Sequence, residues 1–391
     1  MRVLFFGTYD GKWAFNKTKI GGLRRNGVEV AEAHAEFWKF DRNRAENFTS
    51  AGKIAGHLLR YVPTAAKLAA KYFGAGKHDA VAVLYPGNLD MLLAWPLAKL
   101  RGKKIIYFPF LSAYDNLVFQ RGYAGKKSLQ AGLYFWLDKI PCMLADKIIL
   151  DTNAHAEYFS RTFGIRKEKF ARVFVGLDEE IFGKGGREEK CGGASGKGAL
   201  QKQKNSAAFT VLFYGSLRPG QGVEAILRAA KLLEKEKGVQ FTIAGSGPQE
   251  AELKSLAAEL KLKNTEFTGW AEHARLPQMI AEADVCLGHF SRVEKIGRVI
   301  PTKAFEIMAM GRPLITCEGA GIREIGESGK NMLLVEPENA RKLADSILAL
   351  RKSPALGKKI SEGARKTYNE RFSTKAIGAE MERVISGVLK R

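Results

Sequence analysis

The sequence predicts an α/β protein with two doubly wound domains, each built on a parallel sheet. Short β-rich runs alternate with longer amphipathic segments, which is the pattern of parallel sheets covered by helices. The alternation stops over residues 183–208, where Gly, Lys, Gln and Ser dominate. A chain of 391 residues with 46% hydrophobic residues can bury two cores. We therefore predict an N-terminal domain (1–182), a flexible linker (183–208), a C-terminal domain (209–370) and a helical tail (371–391).

The elements of the two domains follow from the same periodicity. In the first domain the predicted strands are 2–6, 28–33, 80–84, 104–108, 147–150 and 170–174, with helices that include 90–100 and 153–163. In the second domain the predicted strands are 210–214, 239–244, 265–268, 285–288, 313–316 and 331–335, with helices at 223–235, 249–260 and 303–310. Each strand leads through a turn into a helix, so ligands are expected beyond the carboxyl ends of the strands.

The charge balance indicates an anionic partner. The formal net charge is +22, from 63 Lys and Arg against 41 Asp and Glu. Nucleic acid, anionic lipid headgroups and phosphorylated substrates all fit such a charge, and so does a generally basic proteome with solvated lysines. The sequence lacks helix-turn-helix, RNP and zinc signatures, so we do not expect a nucleic-acid partner.

Cysteine usage and hydropathy predict the compartment. The four cysteines form no CxxC pair and no zinc spacing, so a reducing cytoplasm is expected. The chain opens on an apolar strand with no charged leader. Its best apolar stretch, residues 80–98, is broken by Pro86, Asp90 and Pro96, so no membrane span is predicted.

Two segments of the first domain suggest peripheral attachment to the inner face of an anionic membrane. The first interleaves four basic residues with apolar ones: Lys53, Arg60, Lys67 and Lys71 with Ile54, Leu58, Leu59, Val62, Leu68, Tyr72 and Phe73. The second runs from Arg121 through Lys126 and Lys127 to the apolar run 133–137. This composition suits an interfacial helix, although a core helix with one solvated face has the same pattern.

Two glycine turns of the second domain are candidate phosphate sites. Residues 214–222 (Tyr-Gly-Ser-Leu-Arg-Pro-Gly-Gln-Gly) lie between a strand and a helix. The turn that contains Gly245 and Gly247 is similar. Glycine lets backbone N–H groups approach a ligand, and the following helix offers its positive end to a phosphate. Either turn can equally be a tight structural connection.

A third turn is more informative because it gathers positive charge at a helix N-terminus. Basic and turn residues cluster before the helix 303–310: Arg292, Lys295, Arg298, Pro301, Thr302 and Lys303. Cations at a helix N-terminus are unfavourable unless an anion joins them, and a diphosphate would resolve that conflict. Glu306, one turn further, could accept hydrogen bonds from sugar hydroxyls. A solvated basic loop before an ordinary amphipathic helix is the alternative.

At these residues the sequence resembles glycosyltransferase family 4. The matching pieces, in family order, are 175–178 with Phe182, 212–215 with 222–233, 243–248, 267–269, 283–285, 301–303 with Glu306 and 310–313, and 331–335. The resemblance implies a GT-B fold, with two Rossmann-like domains facing a cleft. It also implies a retaining enzyme without a metal in the site or any cofactor beyond a nucleotide-diphosphate sugar as co-substrate.

The resemblance assigns roles to individual residues of the C-terminal domain. The amides near Gly215 and Ser216 would face the donor phosphates, and the turn after Gly269, with Trp270, would face the nucleobase. Lys303 and its neighbours would lie near the diphosphate, and Glu306 would bind the ribose. We therefore expect donor binding by Gly215, Ser216, Arg218, Gln221, Gly245, Gly247, Trp270, Lys295, Pro301, Thr302 and Glu306, with Arg298 and Lys303 catalytic.

Two departures from the family pattern bear on activity. Ser216 and Gln221 stand where the family usually has an Arg and a Lys that neutralise the diphosphate. Arg298 stands where the first of two paired glutamates is usual, and the nearest acid is Glu294. Arg218, Lys295 or Arg298 would have to supply the missing positive charge. Otherwise the protein has changed its donor or become a non-catalytic sugar-nucleotide-binding partner of an active transferase.

The first domain is expected to hold a glycan, lipid-linked or protein acceptor of cell-surface glycoconjugate synthesis. Asp115, in the loop after the strand 104–108, is the candidate catalytic acid, with helix capping as the alternative role. The six histidines are scattered and none is predicted to be catalytic. Retention without a protein nucleophile then requires the donor phosphate to accept the proton of the acceptor hydroxyl.

Overall fold

The computed structural model describes residues 1–38, 51–183 and 208–390, which form two compact units. The first unit comprises Met1–Val175 and Thr374–Arg391, and the second comprises Gly176–Ser373. The predicted linker falls almost entirely on residues 184–207, which lie outside the described residues, as does the side chain of Ile54.

The first unit is a six-stranded sheet with helices on both faces. Its elements are β1 (Arg2–Gly7), α1 (Ala14–Arg25), β2 (Glu29–His34), α2 (Ala51–Gly74), β3 (Ala80–Val83), α3 (Asn88–Leu100), β4 (Lys104–Tyr107), a π-helical turn (Asp115–Gln120), α4 (Leu129–Leu144), β5 (Lys147–Leu150), α5 (Asn153–Phe163) and β6 (Phe170–Arg172). The strand order is β2-β1-β3-β4-β5-β6, and every pair is parallel. Helices α2 to α5 share one buried cluster on the sheet.

The second unit repeats this architecture. Its elements are α6 (Glu179–Phe182), β7 (Phe209–Tyr214), α7 (Val223–Leu232), β8 (Val239–Ala244), α8 (Glu250–Glu259), β9 (Thr265–Gly269), α9 (Leu276–Glu282), β10 (Val285–Leu287), α10 (Glu294–Arg298), α11 (Thr302–Ala309), β11 (Leu314–Cys317), β12 (Leu333–Val335), α12 (Ala340–Lys352) and α13 (Pro354–Arg371). The strand order is β12-β11-β10-β7-β8-β9, again all parallel.

The predicted α/β class with two doubly wound parallel sheets is confirmed. The predicted strands agree with the observed ones within two residues at each end. They were readable because central strands of a parallel sheet are buried on both faces and appear as continuous apolar runs, such as the fully buried β3. The helix 223–235 was predicted too long, since α7 ends at Leu232.

The last helix, α14 (Thr374–Leu389), belongs to the first unit, where it packs on α1. Two glycines allow the close approach. A Cβ on Gly22 would lie 2.7 Å from the carbonyl oxygen of Thr374, and a Cβ on Gly378 would clash with the carbonyl of Gly22. Asn26 Nδ2 donates across the contact to the Lys375 carbonyl at 2.9 Å. The chain therefore returns to its first unit through a contact that only small residues permit.

Gly378→Ala should weaken this contact, because the added methyl meets backbone that cannot move independently. We expect a loss of about 1–3 kcal/mol in the free energy of unfolding of the first unit, typical of overpacking. Gly387→Ala is the matched control in the same helix, since a Cβ there meets nothing within 4 Å. It should stabilise the helix by up to about 1 kcal/mol through propensity. Urea unfolding followed by circular dichroism measures both, and equal effects would contradict the packing argument.

Candidate functional site

The strand order of the second unit locates its candidate site. Strand β7 has β8 and β9 on one side and β10, β11 and β12 on the other, so the chain changes direction between β7 and β10. Loops that leave the carboxyl ends of two such strands diverge and open a crevice, which is where doubly wound sheets bind ligands. These are the loops after Tyr214 and after Leu287, and α11 begins beyond the second one.

The two glycine turns pack against each other at this edge of the sheet. The Gly215 N–H donates to the Ala244 carbonyl at 2.9 Å, and the Leu217 N–H donates to the Ser246 carbonyl at 3.0 Å. A Cβ on Gly247 would lie 2.8 Å from the carbonyl carbon of Leu217, and one on Gly245 would lie 3.1 Å from that of Gly215. Glycine at 245 and 247 is therefore explained by the contact between the two turns.

Between those two bonds, the Ser216 N–H has no partner among the described residues. Gly215 has a φ of 141°, which places it in a region that favours glycine. Its own N–H is used by a bond to the Ala244 carbonyl, so the Ser216 amide, next in the chain, is one that the turn leaves open to a ligand.

A buried lysine lies directly beside this turn. Lys303 is 8% exposed, and its Nζ would be 3.2 Å from a Cβ placed on Gly215. The ammonium donates to Gln221 Oε1 at 3.1 Å and to the Gly288 carbonyl at 3.5 Å, and it lies 4.1 Å from the centre of the Phe213 ring. No carboxylate of the described residues is within ion-pair distance of Nζ. A positive charge is thus held at the crevice by neutral acceptors.

Burial lowers the pKa of Lys303 to about 7, with Arg218 contributing in the same direction and Glu306 opposing. Removing an ammonium from water disfavours its charged form unless an opposite charge compensates. An anion in the crevice would supply that charge, raise the lysine pKa and be held by it.

Gln221 therefore has a specific role. It occupies the position where the family resemblance expects a lysine, and its amide oxygen accepts a hydrogen bond from Lys303, 82 residues away in sequence. The positive charge in the crevice is therefore carried by Lys303 on α11, while Gln221 in the turn after β7 contributes a neutral hydrogen-bond acceptor.

Glu306 lies one turn further along α11 and is 7% exposed. Tyr214 Oη donates to its Oε2 at 2.8 Å, and His273 Nε2 lies 3.6 Å from its Oε1. The neighbouring Glu306 carboxylate raises the pKa of His273, against partial burial. Tyr214 and His273 were missed by the sequence interpretation. The signal for His273 was its place in the turn after β9, next to Trp270.

The remaining basic residues of the predicted site are Arg218, Lys295 and Arg298. Arg298, at the end of α10, has a side chain that is 11% exposed and places Nη1 2.8 Å from Glu294 Oε1. The contacts of Lys303 do not include Arg298. Arg218 is exposed and acts on Lys303 through its charge. Lys295 lies on α10 and is half-buried.

Other predicted donor residues frame the crevice. Pro301 precedes α11 with no side-chain cap, and Thr302 is its first residue, so the first turn of the helix keeps backbone N–H groups for a ligand. Trp270 directly follows β9 and is 55% exposed. Among the described residues, no group of His, Cys, Asp and Glu side chains could hold a metal ion.

Asp115 belongs to the first unit, where it is 6% exposed. Its N–H donates to Ser112 Oγ at 2.9 Å. The acid that organises this loop is Asp138, which the sequence interpretation missed. Asp138 accepts hydrogen bonds from Ser112 Oγ at 2.7 Å and from the Tyr114 N–H at 2.9 Å, and burial raises its pKa to about 6.

Glu306→Gln should lower the pKa of His273 toward its ordinary value, because the amide keeps the size of the carboxylate and removes its charge. The pKa is read from a ¹H–¹³C NMR titration of the imidazole, assigned with His273→Asn. Glu272→Gln is the control, since it removes a charge next to His273 in sequence from an exposed position. An unchanged pKa in Glu306→Gln would show that the contact with His273 does not form in solution.

The C-terminal part of the chain matches a known family. Residues 199–367 match the profile of the family described as Glycosyl transferases group 1. An α-D-kanosaminyltransferase of Streptomyces kanamyceticus is 30% identical over 173 residues, 44% of either chain. The lipopolysaccharide core biosynthesis glycosyltransferase LpsD of Rhizobium meliloti is 30% identical over 191 residues, 48% of this chain and 53% of that one. The chain thus spans about half the length of these relatives.

Solved structures resemble the chain over its full length. HepE of Anabaena, solved in complex with UDP-glucose, aligns with a TM-score of 0.65 at 17% identity and covers 99% of this chain and 100% of its own. Sucrose-phosphate synthase of Thermosynechococcus elongatus aligns with a TM-score of 0.68 at 17% identity over 100% and 99% of the two chains. The predicted GT-B fold is confirmed. The segment that matches the group 1 glycosyl transferases is the one that holds Lys303, Glu306 and the two glycine turns.

Proposed function

We propose that the protein is a retaining glycosyltransferase that moves a sugar from a nucleotide-diphosphate sugar to a glycan, lipid-linked or protein acceptor in cell-surface glycoconjugate synthesis. The observation that carries this proposal is the buried ammonium of Lys303 in the crevice of the second unit. It lies within the segment that matches the group 1 glycosyl transferases. The relatives of the chain include a lipopolysaccharide core biosynthesis glycosyltransferase and a protein described as a putative colanic acid biosynthesis glycosyltransferase.

The donor would be held by the groups that meet around Lys303. The Ser216 N–H and the open first turn of α11 would bind the diphosphate, and Lys303 would neutralise it. Glu306, oriented by Tyr214, would accept from the ribose hydroxyls, and the exposed ring of Trp270 would face the nucleobase. Arg218, Arg298 and Lys295 would supply further charge at the rim.

The proposed reaction is a transfer with retention at the anomeric carbon. The bond between the anomeric carbon and the diphosphate oxygen breaks, and the acceptor oxygen bonds to the same carbon on the same face. The hydroxyl proton passes to the departing diphosphate oxygen. Negative charge on the diphosphate grows as the bond breaks, so preorganised donors such as Lys303 stabilise the transition state more than the ground state.

Peripheral attachment to an anionic membrane is part of the same proposal. In α2 the basic residues of the predicted interfacial stretch are exposed, together with Leu58, Leu59, Val62 and Phe73, while Leu68 and Tyr72 are buried. The helix therefore has both a core face and an apolar outer face with basic residues. Within the described part of the chain, no helix combines the length and the hydropathy that a membrane crossing requires.

Nucleotide-sugar affinity should depend on pH through Lys303. UDP-glucose, whose diphosphate does not titrate between pH 6 and 9, should bind with a constant Kd below about pH 7, where the ammonium is charged. Above that pH the Kd should rise by up to about tenfold per unit, because binding must then also protonate the lysine. Isothermal titration calorimetry at several pH values measures it.

Lys303→Met is expected to abolish this pH dependence and to weaken binding at pH 6 by roughly ten- to a hundredfold, the range of a hydrogen bond to a charged group. Lys19→Met is the matched control. It removes a lysine of the first unit that is equally buried and whose pKa burial also lowers to about 7. Retained pH dependence in Lys303→Met would place the titrating group elsewhere. If UDP-glucose does not bind, the nucleotide sugar with the largest thermal shift replaces it.

Turnover separates a transferase from a non-catalytic partner. Lys303→Met and Arg298→Ala should each lower the rate of sugar transfer by roughly a hundredfold or more, about 2.7 kcal/mol of barrier. Glu306→Ala should mainly raise the KM for the donor, because ribose contacts change little between ground and transition states. Arg383→Ala serves as the control, since it removes an exposed arginine of α14 in the first unit. Donor binding with neither transfer nor hydrolysis by the unaltered protein would favour the non-catalytic alternative that Ser216 and Gln221 suggest.

A further inference from the structure

The first unit contains an apolar cavity of about 460 Å³ at the carboxyl edge of its sheet. The floor and walls come from α3, α4 and the loop after β4. Most of the lining is hydrocarbon, and the side chains that matter most here are Leu92, Leu111, Leu133, Trp136, Leu137 and Ile140. Cavities of this size and lining bind the apolar parts of small ligands.

The first unit exposes many large hydrophobic side chains, and some of them line the cavity. The described residues include 17 exposed large hydrophobic side chains, and 13 of them lie between Leu58 and Met143. Four of these line the cavity and are also about half exposed: Leu58, Leu92, Leu133 and Trp136. Apolar patches of this kind on an otherwise polar surface mark an interaction site.

The segments that contribute residues to the cavity expose charges of one sign. The segments α2, α3, 109–128 and α4 contain three acidic residues, Asp90, Asp115 and Asp138, and each is at most 6% exposed. Their exposed charged residues are basic: Lys53, Arg60, Lys67, Lys71, Lys99, Arg121, Lys126 and Lys127. Arg121 also lines the cavity. The surface therefore combines hydrocarbon with positive charge and is complementary to an anionic amphiphile.

Part of the cavity lining is a hydrogen-bonded polar cluster. Asn88 and Ser112 line the cavity, and both donate to the buried Asp138, Asn88 Nδ2 at 3.1 Å and Ser112 Oγ at 2.7 Å. Asn116 lines the same region and donates its N–H to the Ser112 carbonyl at 3.0 Å. A ligand in this cavity would thus meet mostly hydrocarbon together with a cluster of polar groups held by hydrogen bonds.

We infer that this cavity binds the hydrocarbon chain of an anionic lipid, and that such a lipid carries the sugar acceptor. The second half of this inference rests on the proposed transferase function, and the first half does not. A protein partner is less suited to the surface, because the buried centres of protein interfaces are depleted in lysine. Basic residues interleaved with aromatic and aliphatic ones are the composition that binds anionic lipid surfaces.

The chain-binding half is tested with a series of alkyl phosphates of four, eight and twelve carbons, each kept monomeric. Affinity, read from intrinsic tryptophan fluorescence and by calorimetry, should rise by up to roughly fourfold per methylene, the value expected for burial of each CH₂. Inorganic phosphate should not bind measurably. Affinity that does not change with chain length would overturn the proposal.

Variants locate the binding. Leu133→Gln combined with Ile140→Gln makes two partly exposed lining positions polar and should lower the affinity for dodecyl phosphate at least tenfold. Leu129→Gln is the control, since it changes an almost fully exposed leucine of the same helix that does not line the cavity. Arg121→Gln should lower affinity for dodecyl phosphate and leave dodecanol binding unchanged. Equal affinities in the double variant and the control would refute the site.

Two further outcomes would contradict the inference, the first in its chain-binding half and the second in its acceptor half. If sedimentation shows a dimer that the double variant dissociates, the face is a protein interface.

The acceptor half is tested by incubating the protein with labelled donor and a total-lipid extract, and the label should enter the organic phase. The double variant should lose this transfer and keep its affinity for the nucleotide sugar. Alkyl-phosphate binding without lipid labelling, in a protein that transfers to water or to a soluble glycan, would overturn the acceptor assignment alone.

Discussion

A lysine ammonium buried without a carboxylate partner is the constraint on which the candidate site depends. Lys303 is placed at the crevice by α11, and its hydrogen-bond acceptors are the neutral oxygens of Gln221 and Gly288. Such a charge is costly in the unliganded protein, as the lowering of its pKa to about 7 indicates. The fold tolerates this cost at a place where an anionic ligand would remove it.

The backbone around Lys303 contains glycines at positions where a side chain would not fit. Gly215 leaves room for the lysine headgroup, while Gly245 and Gly247 let the adjacent turn press against the first one. Gly222 has a φ of 69° at the start of α7, and a Cβ there would lie 2.6 Å from the carbonyl carbon of Phe290. Gly222, Gly245 and Gly247 therefore serve close packing of backbone, and Gly215 makes room for the Lys303 side chain.

Most of the secondary structure could be predicted from the sequence because the signals are local. A buried parallel strand appears in the sequence as an apolar run, and the turns after β7 and β8 are recognisable by their glycines. The cluster of basic residues before α11 was also visible, since a helix N-terminus surrounded by cations is electrostatically conspicuous.

The pairings within the site could not be predicted in the same way, because they join distant parts of the chain. Lys303 meets Gln221 across 82 residues, and Tyr214 reaches Glu306 across 92. Both contacts can be predicted only when the order of the strands in the sheet is known, and the local periodicity of the sequence does not give that order. The same holds for α14, whose packing on α1 depends on Gly22 facing Gly378, and for the cavity that α3 and α4 form only when packed side by side.

The central claim is that Lys303 is the positive charge that receives the donor diphosphate. A crystal structure of the full chain with a nucleotide sugar, or with its nucleoside diphosphate, tests this most directly. The account predicts a phosphate oxygen within hydrogen-bond distance of Lys303 Nζ, another accepting from the Ser216 N–H, and ribose hydroxyls on Glu306. A diphosphate bound elsewhere, with Lys303 still paired to Gln221 and Gly288 alone, would contradict it.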